Sequence, residues 1–383
     1  MANNDKVVVA NEKQGFLGKM TNSFSGIIVG IILLIGGIAM LWNNEQNNVK
    51  NIKNVKELRD QVVDVSSSEV DDKYEGKLIA TSGKLNYNND TITDGSFKVS
   101  AQTPVLVRTV EVYQWVEDSE TKDDKTTYTY SKEWSEKIID SSEFNTQEGH
   151  ENPVEVKYES ERIETEETLK VGAFSLINGF KKLLSANKNV AIDENIELPE
   201  GYKVYNKYIT NSVDVDNPVV GDVRISYTKN DYKEVSVLGK QTGDTIGEYT
   251  TKKNTNIKKL VEGETNGAGM INSIETANKV SKWMFRIIGS LLIIIAIGSI
   301  LGPITTLIGY IPFLGKIVNS MIGVVSFLIG LAISLVIIAI AWFAARPIVS
   351  IILIAVIAGL IIALVYYKKT KAVPTTQTEK TNN

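Results

Sequence analysis

Charge-free apolar stretches alternate with long polar segments along this chain, and the alternation predicts its architecture. Met20 to Asn44 carries no charged side chain, with an apolar heart at Gly26 to Trp42. Ile287 to Gly315, Ile317 to Ala345 and Pro347 to Tyr367 are three more uncharged stretches, separated only by Lys316 and Arg346. A helix rises ~1.5 Å per residue, so about 20 apolar residues cross a hydrocarbon core of ~30 Å. Each stretch is long enough. The last three are apolar all round, whereas helices of a soluble core keep a polar face. No small-x-small cleavage pattern follows Met40, so the first reads as an uncleaved anchor rather than a secretory signal. Gly302 to Lys316, with Pro303 and Pro312, is expected to break into an interfacial or re-entrant turn.

The middle of the chain follows the two-residue period of β-structure. Strands are expected at Lys77–Leu85, Thr103–Glu117 and Thr126–Ile139, the latter two forming a long hairpin about the charged turn Asp118–Lys125. Two more are expected at Gly221–Tyr227 and Tyr232–Gly239, joined by a turn at residues 229–231. Phe174–Leu184 reads as a short amphipathic helix. Asn48–Val65 and Met270–Trp283 look helical and extend the neighbouring spans.

The expected fold is therefore an α+β multi-pass membrane protein. Four transmembrane helices, one N-terminal and three C-terminal, flank a large β-rich extramembrane domain. The boundaries are a cytoplasmic N-terminal tail at 1–24, a first helix at 25–43 and the extracytoplasmic or lumenal domain with helical stalks at 44–283. Then come a second helix with its interfacial turn at 284–314, a third at 317–345, a fourth at 347–367 and a cytoplasmic disordered tail at 368–383. Trp42, Trp283, Trp342, Tyr310, Tyr366 and Tyr367 fall at span ends, where amphipathic rings suit the headgroup layer.

Charge adds the orientation. Residues 43–285 carry 31 basic and 42 acidic groups, while the ends carry 10 and 3. Lys6, Lys13 and Lys19 precede the first span, Lys316 divides the second and third, and Lys368, Lys369 and Lys371 follow the fourth. That bias places both termini in the cytoplasm. Lys50, Lys53, Lys56, Arg59, Lys279, Lys282 and Arg286 at the domain ends oppose it, but long domains cross largely regardless of charge.

Candidate chemistry is sparse. One His and no Cys exclude disulfides, thiolate catalysis and a His/Cys zinc site. Residues 111–167 hold 18 acidic and 6 basic groups. They form either a surface for cations or basic partners or, as preferred here, a solvated charged ribbon, because no calcium-loop spacing occurs. His150 is either a general base or a structural hydrogen-bonder, and the Pro-containing turn favours the second. Gly26 and Gly30, at i,i+4, offer a close helix contact to a later span or to a second copy; chance spacing is the other reading.

Several phrases carry a family resemblance. They are Glu111-Val-Tyr113-Gln114-Trp115-Val-Glu117, Tyr128-x-Tyr130 followed by Trp134-Ser-Glu136, and Gly149-His150-Glu-Asn152-Pro153. Val220-Gly221-Asp222-Val-Arg224-Ile-Ser-Tyr227, Ile311-Pro-Phe-Leu-Gly315 and Ile340-Ala-Trp342-Phe-Ala-Ala-Arg346-Pro347 complete the set. In this order and span layout the chain resembles the LUMA family, also called the transmembrane protein 43 family, from about Ser23 to Leu364. It departs at Trp42-Asn43-Asn44-Glu45-Gln46, where the family usually has Trp-Asn-Glu followed by Gly-Arg.

The resemblance implies a non-enzymatic membrane scaffold or sensor that self-associates and organises membrane protein complexes. It brings no catalytic residue, cofactor or metal. Animal members imply the endoplasmic reticulum or inner nuclear membrane, with emerin- or lamin-like partners; a bacterial member implies the cell membrane. The lipid bilayer, further copies and other membrane proteins are the expected partners, with no nucleic acid. A channel or transporter component and a membrane-bound hydrolase using His150 are the alternatives; span cores free of ionisable groups speak against the first. Tyr113, Gln114 and Trp115 are read as strand core, Gly149 to Pro153 as a turn, and Arg346-Pro347 as the break between the last spans. Glu111, Trp134, Gly221, Asp222 and Arg224 are further structural signatures.

Overall fold

The structure is a computed structural model that describes residues 5–10, 16–122, 125–177, 179–308 and 314–343, with a few positions between 351 and 359. The order begins β1 (Asp5–Ala10), α1 (Phe16–Gln61), β2 (Val63–Asp64), β3 (Leu78–Asn86), β4 (Thr91–Thr93), β5 (Ser100–Gln102), β6 (Val105–Lys122) and β7 (Lys125–Ser135). It continues with β8 (Glu161–Glu164), β9 (Lys170–Val171), β10 (Phe174–Leu176), β11 (Lys188–Asn189), β12 (Lys203–Tyr205), β13 (Tyr208–Thr210) and β14 (Val223–Lys229). The last elements are β15 (Glu234–Thr242), β16 (Thr245–Gly247), β17 (Tyr249–Thr250), β18 (Asn256–Ile257), β19 (Lys259–Glu262), α2 (Gly267–Ile308) and α3 (Leu314–Phe343). Two units result: one from residues 1–13 and 56–273, the other from 14–55 and 274–383.

The β-rich unit is built on two sheets. In the first, β1, β7, β6, β14, β13 and β12 lie side by side, with β8 on β6 and β11 on β14. In the second the pairings close on themselves: β15 to β3, β3 to β9, β9 to β10, β10 to β16, and β16 back to β15. Alternation explains the choice of strand. Ile79 and Leu85 of β3, with Val235 and Val237 of β15, line a core completed by Phe174, Phe180 and Ile246. A second core gathers Phe97, Val110, Val112, Ile209, Ile225 and Tyr227 behind the first sheet.

Three local expectations change. The β6–β7 hairpin runs further than the charged turn implied, with Lys122 opposite Lys125. Both faces of such a ribbon are wet, so Asp118 and Glu120 stay in strand without burial. Phe174–Leu184 is not a helix: Phe174 and Leu176 alternate inward as β10, Gly179 turns the chain at φ +78, and Phe180–Leu183 is a 3₁₀ turn. β14 and β15 are consecutive but enter different sheets. Buried Asn230 makes that corner, donating from its side chain to the Ser185 carbonyl and from its backbone N–H to the Val105 carbonyl.

The N-terminal residues differ too. Asp5–Ala10, expected in a cytoplasmic tail, form β1 and pair antiparallel with β7, Val7 opposite Tyr128. Phe16 to Phe24, also assigned to the tail, already belong to α1. A strand paired with the domain and a tail on the opposite face of a membrane exclude one another.

Among the described residues, three helices have membrane-spanning length and apolarity, Ser25–Gln61, Gly267–Pro303 and Ile322–Ala341. The Asn266 side chain caps α2 by accepting from the Gly269 N–H at 2.9 Å. Small residues set the packing. A Cβ added at Gly30 would meet Ile300 at 2.8 Å and the Ala296 carbonyl at 2.9 Å, so the Gly26–Gly30 face is filled by α2 of the same chain. Gly330 of α3 sits as closely against Ile294. Pro303 does not end α2, which continues to Ile308; a proline costs one donor, and a membrane helix absorbs that locally. Residues 309–313 and nearly all of the fourth expected span, 347–367, lie outside the described residues.

Candidate functional site

The signature residues come from five separate segments, and most of them converge on β6. Glu111, Tyr113 and Trp115 share one face of that strand by the two-residue period. Arg224 of β14 lies opposite Glu111, and Trp134 of β7 opposite Tyr113. Arg224 donates to both Glu111 carboxylate oxygens, at 2.6 and 2.8 Å. Its guanidinium lies over the Trp134 ring at 4.6 Å and the Tyr208 ring at 5.3 Å. Tyr113 and Trp134 sit 5.3 Å apart. The Glu111 carboxylate pushes Arg224 above its already high value, so this cation is permanent. Its planar fork suits both a bidentate carboxylate and a ring face.

On the other face Gln114 is fully buried and ties down the following loop, donating to the Lys137 carbonyl at 2.7 Å and accepting from the Ile139 N–H at 3.0 Å. The loop then folds back over the hairpin. Gly149, at φ +82, turns it. Asn152 bridges to the Trp115 backbone, and buried His150 stacks on Tyr130 at 3.8 Å with its edge toward Trp115 at 4.7 Å. Pro153, partly buried, follows. The Tyr130 hydroxyl donates to Glu117 at 2.6 Å and accepts from the Thr146 N–H. Burial, then the Glu117 acceptor, pushes that phenol up. The His150 Nδ1 lies 3.1 Å from the Thr146 carbonyl. These contacts fasten the loop to the hairpin.

Gly221, at φ +95, and Asp222 form the turn into β14. The Asp222 carboxylate accepts from the Ser212 hydroxyl at 2.6 Å and the Val219 N–H at 2.9 Å. Trp342 lies in the last turn of α3, while Arg346 and Pro347 fall outside the described residues. Among the described residues no group of three or more His, Asp or Glu side chains is placed to hold a metal ion.

The family described as Transmembrane protein 43 matches residues 112–347, more than half of the chain. The chain belongs to the transmembrane protein 43 family. Human Transmembrane protein 43 is 24% identical over 384 residues, covering 95% of this chain and 94% of the human one. The mouse protein is 25% identical, covering 90% of each. The Drosophila melanogaster homolog is 26% identical over 84% of this chain and 89% of its own. No solved structure matches. A transmembrane protein 43 member with three helices of spanning length is an integral membrane protein.

One pair escaped the sequence reading. Arg286 of α2 donates to both carboxylate oxygens of Glu45 in α1, at 2.6 and 2.9 Å, and both side chains are buried. Glu45 lies three residues beyond Trp42, the end of the first apolar run. The available signal was a carboxylate and a guanidinium at matching distances beyond the apolar ends of two spans.

Proposed function

We propose that the protein is a non-enzymatic integral membrane scaffold or sensor of the transmembrane protein 43 type. It self-associates and presents its β-rich domain to other membrane proteins. A fourth span at 347–367 belongs to this reading, as does residence in a cell membrane or, for a eukaryotic chain, the endoplasmic reticulum or inner nuclear membrane. The observation that carries it is the use made of the signature side chains. Glu111–Arg224–Trp134 and Asn152–Trp115 all brace the base of the long β6–β7 hairpin, leaving Asp118 and Glu120 exposed on its outer part. A stiff arm on a membrane anchor suits assembly.

The test is cross-linking in native membranes followed by mass spectrometry. It compares the wild type with a variant whose residues 118–129 are replaced by a short Asn-Gly turn. Self-adducts and a reproducible partner set that the variant loses, with its helical unit intact, support the reading. A turnover by the purified protein that His150→Ala abolishes without unfolding it would overturn the reading.

A further inference from the structure

Just beyond the apolar run of α1, the helix presents a face of carboxamides. Asn43, Asn47 and Asn51 follow one another at i,i+4, with Asn44 and Asn48 beside them. Asparagine is a poor helix former and prefers caps and turns, so five in nine helical residues work against the helix they occupy. That face does not stand free. Together with Asn278, Ser281 and Lys282 of α2 it lines a groove of about 430 Å³, within the size range of small-molecule sites. Met40 and Phe285 line the end nearer the apolar runs, and exposed Trp42 and Trp283 flank that level on the two helices. Rings of that kind mark the headgroup layer of a bilayer.

The groove is held open from within the unit. The Asn44 side chain donates to the Lys282 carbonyl at 3.2 Å, and the Glu45–Arg286 pair pins α1 to α2 alongside. Glu45 and Arg286 neutralise one another, so Lys282 is the one charged residue among the lining side chains. Carboxamides both donate and accept. A simple anion needs donors alone, whereas a ligand with hydroxyl groups and a phosphate uses both halves of each amide and the ammonium.

We propose that this groove binds a hydroxyl-bearing phosphate ester, supplied as the headgroup of an anionic phospholipid, with its acyl chains leaving past Met40 and Phe285. The proposal is independent of the scaffold reading.

The test uses the full chain in phosphatidylcholine nanodiscs containing a minor share of phosphatidylglycerol, with retained lipid measured by native mass spectrometry. The variant is Asn47→Ala/Asn51→Ala/Lys282→Gln. Alanine raises helix propensity, and circular dichroism confirms that the helices remain. Phosphatidylglycerol should be enriched on the wild type, and the variant should retain about tenfold less, equivalent to about 1.4 kcal/mol. Glycerol 1-phosphate in solution distinguishes the source. Failure to displace the lipid assigns the groove to the headgroup, and full displacement assigns the same chemistry to a soluble ester. Phosphatidylglycerol bound no better than phosphatidylcholine, with no glycerol 1-phosphate binding, would overturn the proposal. Equal retention by the variant would also overturn it.

Discussion

The Asn152 side chain pairs with the Trp115 backbone as a neighbouring strand would. Its Oδ1 accepts from the Trp115 N–H at 2.7 Å and its Nδ2 donates to the Trp115 carbonyl at 2.9 Å, and to the Ile139 carbonyl at 3.2 Å. Buried backbone groups need such partners, and one left unsatisfied costs about 1–3 kcal/mol. Asn152→Ala should therefore lower stability by about that amount. Asn152→Asp should be no better, because a carboxylate faces two carbonyl oxygens without a donor. Denaturant unfolding of the full chain in detergent, followed by tryptophan fluorescence, measures both. Wild-type stability in the Asp variant would show that the donor half of the bridge is idle.

Acid sensitivity should centre on Asp94. Its carboxylate is fully buried and accepts from the Tyr227 hydroxyl at 2.7 Å, Arg108 at 2.6 Å and the Ser96 N–H at 2.6 Å. Burial alone would raise its pKa, but the bonds from Tyr227, Arg108 and Ser96 outweigh that and hold it below the usual carboxylate value. A folded-state pKa below the unfolded one gives stability that is present in full above the unfolded value, about 4, and lost as pH falls through the folded one. Asp94→Asn should thus flatten the acid limb of the stability curve below about pH 4. It should also cost about 3 kcal/mol at neutral pH, since Arg108 keeps its bonds to Glu161 and the Glu159 carbonyl but loses its buried carboxylate partner. An acid limb of unchanged slope would place the proton uptake on another group.

Gly30→Leu tests where the small-residue face of α1 is used. With Ile300 and Ala296 already at contact distance, leucine must push α2 away. The helical unit should lose heat resistance even in a dilute, monomeric detergent sample. A defect seen only in cross-linked oligomers would return that face to a contact between copies.

The register of β1 can be probed directly because the chain has no cysteine. Val7→Cys with Tyr128→Cys, opposite in register, should form an intrachain disulfide under mild oxidation. If no bond forms and an impermeant maleimide reaches the two sites from opposite faces of the membrane, Asp5–Ala10 belongs to a cytoplasmic tail instead.

Which parts of this structure are readable from sequence follows from the range of the interactions involved. The spans are legible because hydrocarbon demands some twenty apolar residues in a row, a constraint that each segment meets alone. The β6–β7 hairpin is legible because its partners are adjacent and follow a period of two. Phe174–Leu184 shows how a short apolar run satisfies either period; Gly179 was the discriminating residue. The Asn152–Trp115 bridge and the Glu45–Arg286 pair span 37 and 241 residues, and no local pattern encodes either. The asparagine face of α1 had a readable i,i+4 spacing, but its purpose depends on what α2 brings opposite. The gathering of Glu111, Trp134 and Arg224 required knowing which strands neighbour β6.

The ring of pairings among β3, β9, β10, β16 and β15 sets a timetable for biogenesis. It joins residues 78–86 to residues 234–247, and β19, beside β15, ends at Glu262, four residues before the Asn266 cap of α2. The β9–β10 and β15–β16 hairpins can form locally, but the ring closes only when β15 meets β3, so closure waits for nearly the whole domain to leave the ribosome. By then α1 has long been made and α2 follows at once. The newborn domain therefore passes its synthesis tethered at one end, with unpaired strand edges, and completes its fold only as the second tether arrives. A chaperone acting on this protein would be needed between those two events, on the face of the membrane where the domain emerges.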